Sequence, residues 1–268
     1  MTIKSTVRNA RAAVDVLRYD ARDAMEARRH PVNVPLDERQ RSALEALRRD
    51  GYAVIENYWD RDRALTMGAK LESYLEVGGD HEFEGGAYAR FWDSRPTDKG
   101  VRRIYHVERL VEELKAVRSD PFVLDVVTSY YGVPFHSGAL VFQHNLRTTV
   151  NTRSYHVDAF NKEFKSFIYL DDVDGGNGPF AYIPGTHRDR IRLMRKIISG
   201  SGDHAPTGFP AEELGRLVDK EVQISGSAGT LILADVRGLH RGTPQSERSR
   251  SVLVNYLYHE ATDLELDR

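Results

Sequence analysis

The sequence contains no cysteine, and this absence removes several classes of chemistry at once. The protein can form no disulfide, has no thiolate nucleophile and cannot hold a metal through cysteine sulfur. A transition metal would have to be bound by histidine, aspartate or glutamate, and the chain has ten histidines. The search for a functional site is therefore a search for clusters of histidine and carboxylate.

Long apolar runs and an excess of positive charge are absent as well. No stretch approaches the roughly 20 apolar residues that a membrane-spanning helix requires. Residues 1–30 are rich in charge and lack the apolar centre of a signal peptide. The net charge of −2 argues against a general nucleic-acid-binding protein, which carries a basic patch. We expect a cytoplasmic protein, a monomer or homodimer, whose partners are small molecules rather than nucleic acid or membrane.

Helical segments come first in the chain and strands follow. Residues 1–35 have the composition of a helical extension. Further helices are predicted at 36–49, 60–76 and 107–131, and a strand at 52–58. Beyond Gly132, strand-like runs separated by Gly, Pro, Asn and Asp lie at 138–146, 166–173, 180–185, 220–225, 229–235 and 251–259. This order predicts one α+β domain over residues 1–268, with a mainly β core built as a sandwich or double-sheet barrel.

The segment SYHVDAF places two metal-binding side chains close together. His156 and Asp158 are two positions apart, so on an extended strand both point to the same face. A third ligand is available at His240, which follows the apolar strand GTLILAD after a short turn. Two histidines and one carboxylate form the facial triad of non-haem Fe(II) oxygenases, which leaves positions open for a cosubstrate and O2. An H-x-D tripeptide alone is weak support, because a strand histidine is usually only hydrogen-bonded.

A set of motifs in a fixed order gives this tripeptide a context. RRDGYAVIENY is followed by the H-x-D strand, by LDDVDGGNGPFAYIPGTH, by GTLILADVRGLH and by the closing strand RSVLVNYL. With these motifs, over roughly residues 40–258, the chain resembles the phytanoyl-CoA dioxygenase family of 2-oxoglutarate oxygenases. The resemblance implies a double-stranded β-helix, the jelly roll of cupin-like proteins, with N-terminal and flanking helices.

The same resemblance implies the chemistry. Fe(II) would be bound by His156, Asp158 and His240, with 2-oxoglutarate as cosubstrate and O2 as oxidant. The reaction would oxidise a small molecule, most often by hydroxylation, and would release succinate and CO2. Arg250 opens the last strand, where the family carries the arginine that binds the distal carboxylate of 2-oxoglutarate; a planar guanidinium suits that group. Arg248, two positions earlier, is the alternative.

Three further residues are candidate contacts to 2-oxoglutarate. Gln143 and Asn145 lie two positions apart in the strand before His156, so they share a face. Ordinary strand polarity explains them equally well. The third candidate is Thr243. Family members often carry a small hydroxyl residue two positions after the second histidine ligand, His240 here, but that position is Gly242, and Thr243 follows it.

Two segments are expected to border the substrate site. Residues 78–105, rich in Gly, charge and aromatics, look like a long loop, and residues 187–220 look like an insertion; either is suited to act as a lid. Candidate pocket residues in the first segment are Arg90, Phe91, Trp92, Arg102, Arg103 and Tyr105. Basic and aromatic side chains together suit an anionic or ring-containing molecule, although Phe91 and Trp92 can instead anchor the loop.

Two other functions fit the same three ligands. A metal-dependent hydrolase or lyase with Zn(II) at this site would not need Arg250 as a carboxylate anchor. A non-catalytic cupin-like binding protein would hold a structural metal or none. Because a fold does not determine a function, both alternatives stay open at this point.

Overall fold

The computed structural model describes residues 32–92, 99–147, 154–158, 163–189 and 208–259, together with single positions between 14 and 29 and between 191 and 195. Most of the predicted N-terminal extension (1–35) and much of the segment 187–220 lie outside the described residues. The positions described between 14 and 29 are helical. None of the helices in the described part of the chain has the length and apolar character that a membrane span needs.

The helices whose bounds the structure describes are α1 (Glu38–Asp50), α2 (Arg61–Ser73), α3 (Leu114–Arg118), α4 (Pro121–Tyr131) and α5 (Ala211–Leu214). Among them, α1, α2 and α4 each begin after an aspartate whose side chain accepts a backbone hydrogen bond. Asp37 accepts a hydrogen bond from the backbone N–H of Gln40 and forms a capping box at the start of α1, and Gly51 ends the helix with a φ of 91°. Asp120 caps α4 ahead of Pro121, so the helical stretch predicted at 107–131 is divided here into α3 and α4.

The strands form two antiparallel sheets. They are β1 (Tyr52–Ile55), β2 (His81–Glu82), β3 (Tyr88–Phe91), β4 (Val101–Tyr105), β5 (His136–Asn145), β6 (Tyr155–His156), β7 (Glu163–Tyr169), β8 (Phe180–Tyr182), β9 (Gly208–Phe209), β10 (Val222–Ile224), β11 (Leu231–Asp235), β12 (His240–Gly242) and β13 (Arg250–Tyr258). The larger sheet has the order β1-β11-β7-β13-β5-β4-β3-β2, and the smaller has the order β10-β8-β12-β6-β9. Apart from the consecutive run β2-β3-β4-β5, strands that are neighbours in space are distant in sequence, as in a jelly roll.

Alternation along the strands divides the core into two layers. On β13, Val252 and Val254 pack with Phe180 of the smaller sheet, between the two sheets. Leu253 and Leu257, which alternate with them, pack with the helices on the other face. We call the face of the larger sheet that meets the smaller sheet its inner face. This is the predicted α+β arrangement, with helices outside a double sheet.

The prediction of a long loop over residues 78–105 is wrong for the described part of that segment. Strands β2, β3 and β4 lie there and extend the larger sheet from β5. These strands are short, and both faces carry charged or aromatic residues, so they lack the apolar alternation by which strands are recognised. The described part of the segment therefore extends the wall of the barrel. In the segment 187–220, the described residues include the short helix α5.

Candidate active site

The predicted metal ligands meet on the smaller sheet. Strands β6 and β12 pair through His156 and His240, which lie directly opposite each other. Strand β6 ends at His156, and Asp158 is held beyond it by a backbone hydrogen bond from its N–H to the carbonyl of Val236. One ligand atom from each of the three side chains lies within 4.8 Å of the others. The three residues are thus brought together as their spacing predicted, although the strand is shorter than expected.

Both histidines are oriented through the ring nitrogen that faces away from the carboxylate. His156 Nδ1 lies 3.1 Å from the carbonyl oxygen of Ser154, and His240 Nδ1 lies 2.9 Å from that of Gly238. A carbonyl at this distance assigns the proton to Nδ1 and leaves the lone pair on Nε2. The Nε2 atoms lie 3.5 Å and 3.2 Å from the carboxylate oxygens of Asp158. Two imidazole nitrogens and one carboxylate oxygen fit a divalent iron or zinc ion.

A buried cation stands beside the carboxylate. Lys165, on the inner face of β7, donates to Asp158, and the Tyr256 ring lies 4.2 Å from the same ammonium group. Burial opposes the charge on Asp158, but Lys165 and His240 outweigh it and hold the pKa of the carboxyl well below its usual range. Burial lowers the pKa of His240, which keeps its imidazole neutral and available as a ligand.

The turn that presents His240 is held by a buried ion pair. Asp235 ends β11, and Arg237 binds its carboxylate through two hydrogen bonds of 3.0 Å and 2.6 Å. Tyr182 donates to the Asp235 carbonyl at 2.8 Å, and its hydroxyl also fills the space beside Gly238. Because the Gly238 carbonyl orients the His240 ring, this packing also fixes the orientation of that ring.

A second ion pair, together with a tyrosine ring, forms a cluster that links the strands of the two histidines on the opposite face of the smaller sheet. Glu221, just before β10, binds Arg241 through two hydrogen bonds of 2.6 Å and 2.9 Å. The Arg241 guanidinium lies over the ring of Tyr155, 4.6 Å from its centre. Tyr155 precedes His156 and Arg241 follows His240, so the cluster links β6 to β12 where only one residue pair is in register.

The two arginines proposed for the distal carboxylate have very different surroundings. Arg248 is half exposed and pairs with Asp174 at 2.7 Å. Arg250 is buried on the inner face of β13, where its guanidinium donates to the carbonyl of Gly178. Its Nε atom is buried with no hydrogen-bond partner, and no carboxylate of the described residues lies within ion-pair distance. Burial lowers the pKa of Arg250.

The predicted polar contacts surround Arg250. Asn145 lies directly opposite Arg250 on the neighbouring strand β5, and Gln143 donates to the Asn145 side chain at 3.1 Å. Thr243 is buried and donates to the carbonyl of Pro179 at 2.9 Å. Its backbone carbonyl would lie 2.3 Å from a Cβ atom at Gly178, so this turn approaches Arg250 only because position 178 is glycine.

The candidate substrate residues divide between the two faces of the larger sheet. Arg90, Arg103 and Tyr105 lie on the inner face, where Trp92 also packs. Phe91 packs on the opposite side with the helices, and the Arg102 guanidinium lies over its ring. Arg102 and Phe91 therefore face away from the pocket, since neighbouring positions on a strand point to opposite faces, and Phe91 has the anchoring role that was its alternative.

A double-stranded β-helix with two histidines and one carboxylate on adjacent strands is the fold and donor set of mononuclear non-haem iron oxygenases. The family model of phytanoyl-CoA dioxygenase matches residues 47–252, and the chain belongs to that family. Membership confirms the predicted enzyme class, a 2-oxoglutarate-dependent dioxygenase, and with it the predicted Fe(II) and 2-oxoglutarate.

Among curated proteins, a relative from Stutzerimonas stutzeri is named "Probable alpha-ketoglutarate-dependent hypophosphite dioxygenase". It is 24% identical over 241 residues, which cover 85% of this chain and 80% of the relative.

Solved structures of similar fold include the 2-oxoglutarate-dependent epimerase SnoN (12% identity, 82% of each chain, TM-score 0.58) and carbocyclase SnoK (16%, 83% of each chain, 0.60), both from nogalamycin biosynthesis. EctD from S. alaskensis with 2-oxoglutarate and 5-hydroxyectoine is 17% identical, over 85% of this chain and 79% of EctD, with a TM-score of 0.60. These likenesses confirm the jelly-roll fold.

Proposed function

We propose that this enzyme hydroxylates a small-molecule substrate, with iron bound by His156, Asp158 and His240 and with the distal carboxylate of 2-oxoglutarate bound by Arg250. One oxygen atom of O2 would enter the substrate, and the other would enter succinate as 2-oxoglutarate loses CO2. Bound iron supplies the activation of O2, while the protein contributes binding, orientation and exclusion of water.

The observation that carries this proposal is that Arg250 is buried without a paired carboxylate among the described residues. A buried guanidinium that faces no carboxylate is costly, on the order of several kcal/mol. Arg250 has no ion-pair partner among the described residues, one of its nitrogens has no hydrogen-bond partner there, and the Asp171 carboxylate acts on its charge only from beyond ion-pair distance. A dicarboxylate ligand would supply the missing charge and the missing hydrogen bond together.

Residues around Arg250 fit the same role. The side chains of Gln143 and Asn145 are hydrogen-bonded to each other beside the arginine, so they are oriented before a ligand arrives. The Thr243 hydroxyl donates a hydrogen bond to the carbonyl of Pro179, and its oxygen can still accept one. We assign these three residues to the 2-oxoglutarate site as supporting contacts.

Hydroxylation is the outcome that we propose among those open to this fold. SnoN is an epimerase and SnoK a carbocyclase, so the fold alone does not select an outcome. Halogenation would require a halide on the metal in place of the carboxylate ligand. The chain keeps Asp158 as the third protein ligand, which disfavours that outcome. Hypophosphite is the first compound to test, because the curated relative is named for it.

The test is an anaerobic titration of the metal-free protein with Fe(II) and then 2-oxoglutarate. We expect a visible metal-to-ligand charge-transfer band in the wild type and none in His156→Ala. In Arg250→Ala the affinity for 2-oxoglutarate should fall at least tenfold, since a charge-assisted hydrogen bond is lost. Arg248→Ala is the matched control, because Arg248 is half exposed, and it should behave as wild type.

The opposite results would reject the assignment. Tight binding of Zn(II) without a charge-transfer band, together with indifference to Arg250→Ala, would favour a zinc hydrolase or lyase. Loss of 2-oxoglutarate binding in Arg248→Ala but not in Arg250→Ala would move the anchor to Arg248. With the band established, succinate release in air then identifies substrates, and mass spectrometry of the product distinguishes hydroxylation from epimerisation or ring closure.

A further inference from the structure

A cluster of polar side chains lies behind Arg250, on the outer face of the larger sheet, which is the face opposite the inner one. Ser251 follows Arg250 on β13, so its side chain points to this outer face. His144 on β5 lies directly opposite Ser251, and Glu72 reaches Ser251 from the last turn of α2. Ser251 and His144 are buried, and the Glu72 side chain is 41% exposed. We call Glu72, His144 and Ser251 the outer cluster.

Hydrogen bonds in the outer cluster run in one direction. The Ser251 hydroxyl donates to Oε1 of Glu72, and His144 Nδ1 lies 2.8 Å from the Ser251 oxygen. A hydroxyl has a single proton, so the imidazole N–H is the donor to Ser251. The same Nδ1 lies 3.4 Å from Oε1 of Glu72. Hydrogen bonding by His144 is the main cause that lowers the pKa of Glu72, so the carboxylate at the end of this chain stays charged.

The backbone of Ser251 is bonded as completely as its side chain. Its N–H donates to the carboxylate of Asp171, which follows β7, and its carbonyl accepts from the N–H of Leu170 at 3.0 Å. Hydrogen bonds to a carboxylate are roughly twice as strong as those between neutral groups. The residue that follows Arg250 is therefore held through its N–H, its carbonyl and its hydroxyl, and two of these bonds end on carboxylates.

The histidine of the cluster extends this support to the neighbouring strand. His144 immediately precedes Asn145, and Asn145 lies directly opposite Arg250 on the inner face. The hydrogen bond between His144 and Ser251 thus joins the two strands on the outer face, where the same strands carry the proposed 2-oxoglutarate contacts on the inner face. A change in the separation of the strands would move Arg250 relative to Asn145.

Serine, histidine and glutamate are also the residue types of a hydrolase triad, but the geometry here is different. In a triad, one ring nitrogen contacts the serine and the other contacts the acid. In the outer cluster the same nitrogen, Nδ1 of His144, faces both groups. Ser251 is also fully buried, so its hydroxyl is not accessible to a substrate. This geometry fits a role in holding the strands, and it does not fit nucleophilic catalysis.

We propose that Glu72, His144 and Ser251 are positioning residues, which hold the end of β5 and the start of β13 so that Arg250 meets the distal carboxylate of 2-oxoglutarate in a fixed geometry. This inference rests on the proposed function, because it takes Arg250 as the anchor. It adds a contribution from the outer face: a helix that packs outside the double sheet supports the affinity for the cosubstrate.

The experiment measures the affinity of the anaerobic Fe(II)-loaded protein for 2-oxoglutarate through its charge-transfer band. Glu72→Ala removes the acceptor at a partly exposed position, and Ser251→Ala removes the hydroxyl that joins the helix to both strands. We expect each variant to raise the Kd for 2-oxoglutarate about three- to tenfold, the effect of one hydrogen bond. Glu72→Gln keeps an acceptor oxygen and should recover part of the loss. Glu76→Ala, at an exposed position four residues further along the chain, is the matched control and should bind as the wild type does.

Two further measurements separate positioning of Arg250 from general support of the fold. Pyruvate has the 2-oxo acid group of 2-oxoglutarate but no distal carboxylate, so its Kd should be the same in Glu72→Ala as in the wild type. In Arg250→Ala the positioned group is already gone. The double variant Arg250→Ala/Glu72→Ala should therefore bind 2-oxoglutarate no more weakly than Arg250→Ala alone.

The possible failures point to different claims. Absence of a charge-transfer band in the wild type would reject the proposed function, and unchanged affinity in Arg250→Ala would reject the anchor; the inference falls with either. If Arg250→Ala binds weakly while Glu72→Ala and Ser251→Ala bind normally, the proposed function stands and the positioning role is wrong. Equal losses for pyruvate and 2-oxoglutarate, or additive losses in the double variant, would show that the outer cluster does not act through Arg250.

Discussion

The Lys165 ammonium lies 2.7 Å from Oδ2 of Asp158, inside the barrel, where each charge is the other's main support. A divalent metal at the His156–Asp158–His240 centre would become a second positive partner of the same carboxylate. The lysine and the metal therefore share one anion, and the importance of the lysine depends on whether the metal is bound.

We expect Lys165→Met to destabilise the metal-free protein more than the metal-loaded protein. Removing one member of a buried ion pair costs about 3–5 kcal/mol, because the remaining charge is left alone. With Mn(II) bound, the metal still neutralises Asp158, so the loss should be smaller. Urea unfolding with and without Mn(II) measures the difference, and Lys115→Met, which removes an exposed pair with Glu112, is the control. An equal loss in both states would contradict the argument.

The metal ligands could be predicted because they depend on local spacing and on the order of motifs. His156 and Asp158 are two residues apart, and His240 follows a recognisable apolar strand. The residues that support these ligands could not be predicted in this way. Nothing in the sequence pattern singles out Lys165, Arg237 or Glu221. A lysine or arginine in an apolar strand or turn signals that a buried partner exists, but the identity of that partner depends on strand register, which a single sequence does not reveal.

The choice between Arg248 and Arg250 shows the same limit. The two side chains have the same chemistry and lie two positions apart, so alternation alone cannot separate them. In the structure the two arginines have different surroundings. Arg250 is the first residue of β13, while Arg248 lies in the preceding turn and pairs with Asp174. The error over residues 78–105 has a related cause, since Arg90 and Arg103 occupy inner-face positions where an apolar residue is the usual signal of a strand.

The stability of the metal-free protein should depend on pH through His187. This histidine is buried, and its Nδ1 atom has no hydrogen-bond partner among the described residues. Burial lowers the pKa of His187, and the nearby charge of Asp235 only partly opposes this effect. Below the ordinary histidine pKa of about 6.5, the unfolded chain binds a proton that the folded protein does not. Stability from this residue is therefore lost as the pH falls.

The measurement is the free energy of unfolding of the wild type and of His187→Gln between pH 7.5 and pH 5.5. His240 also has a lowered pKa, but it is present in both proteins and cancels in the difference. We expect the advantage of the wild type to shrink toward low pH, by at most about 1.4 kcal/mol per pH unit. A constant difference would mean that His187 is protonated equally in the folded and unfolded states.

The contact between Gly238 and Tyr182 gives the last prediction. A Cβ atom at position 238 would lie 1.8 Å from the Tyr182 hydroxyl, which donates to the carbonyl of Asp235. Gly238→Ala must therefore displace the tyrosine or the turn that orients His240, and we expect a loss of about 1–3 kcal/mol in stability together with weaker Co(II) binding. Gly175→Ala, where a Cβ atom would meet nothing within 4 Å, should have neither effect.

Removing the Tyr182 hydroxyl tests whether the loss in Gly238→Ala comes from the clash with that hydroxyl or from the alanine itself in this turn. Tyr182→Phe alone should cost about 1 kcal/mol, the net value of a hydrogen bond. In Gly238→Ala/Tyr182→Phe the closest contact of the new methyl group, with the hydroxyl, is gone, but the methyl group would still lie 2.3 Å from the ring carbon Cζ, so the clash is relieved only in part. The double variant should therefore be more stable than the sum of the single losses predicts and should recover part of its Co(II) affinity. Additive losses would show that the hydroxyl does not press on this turn, and that His240 is oriented by other contacts.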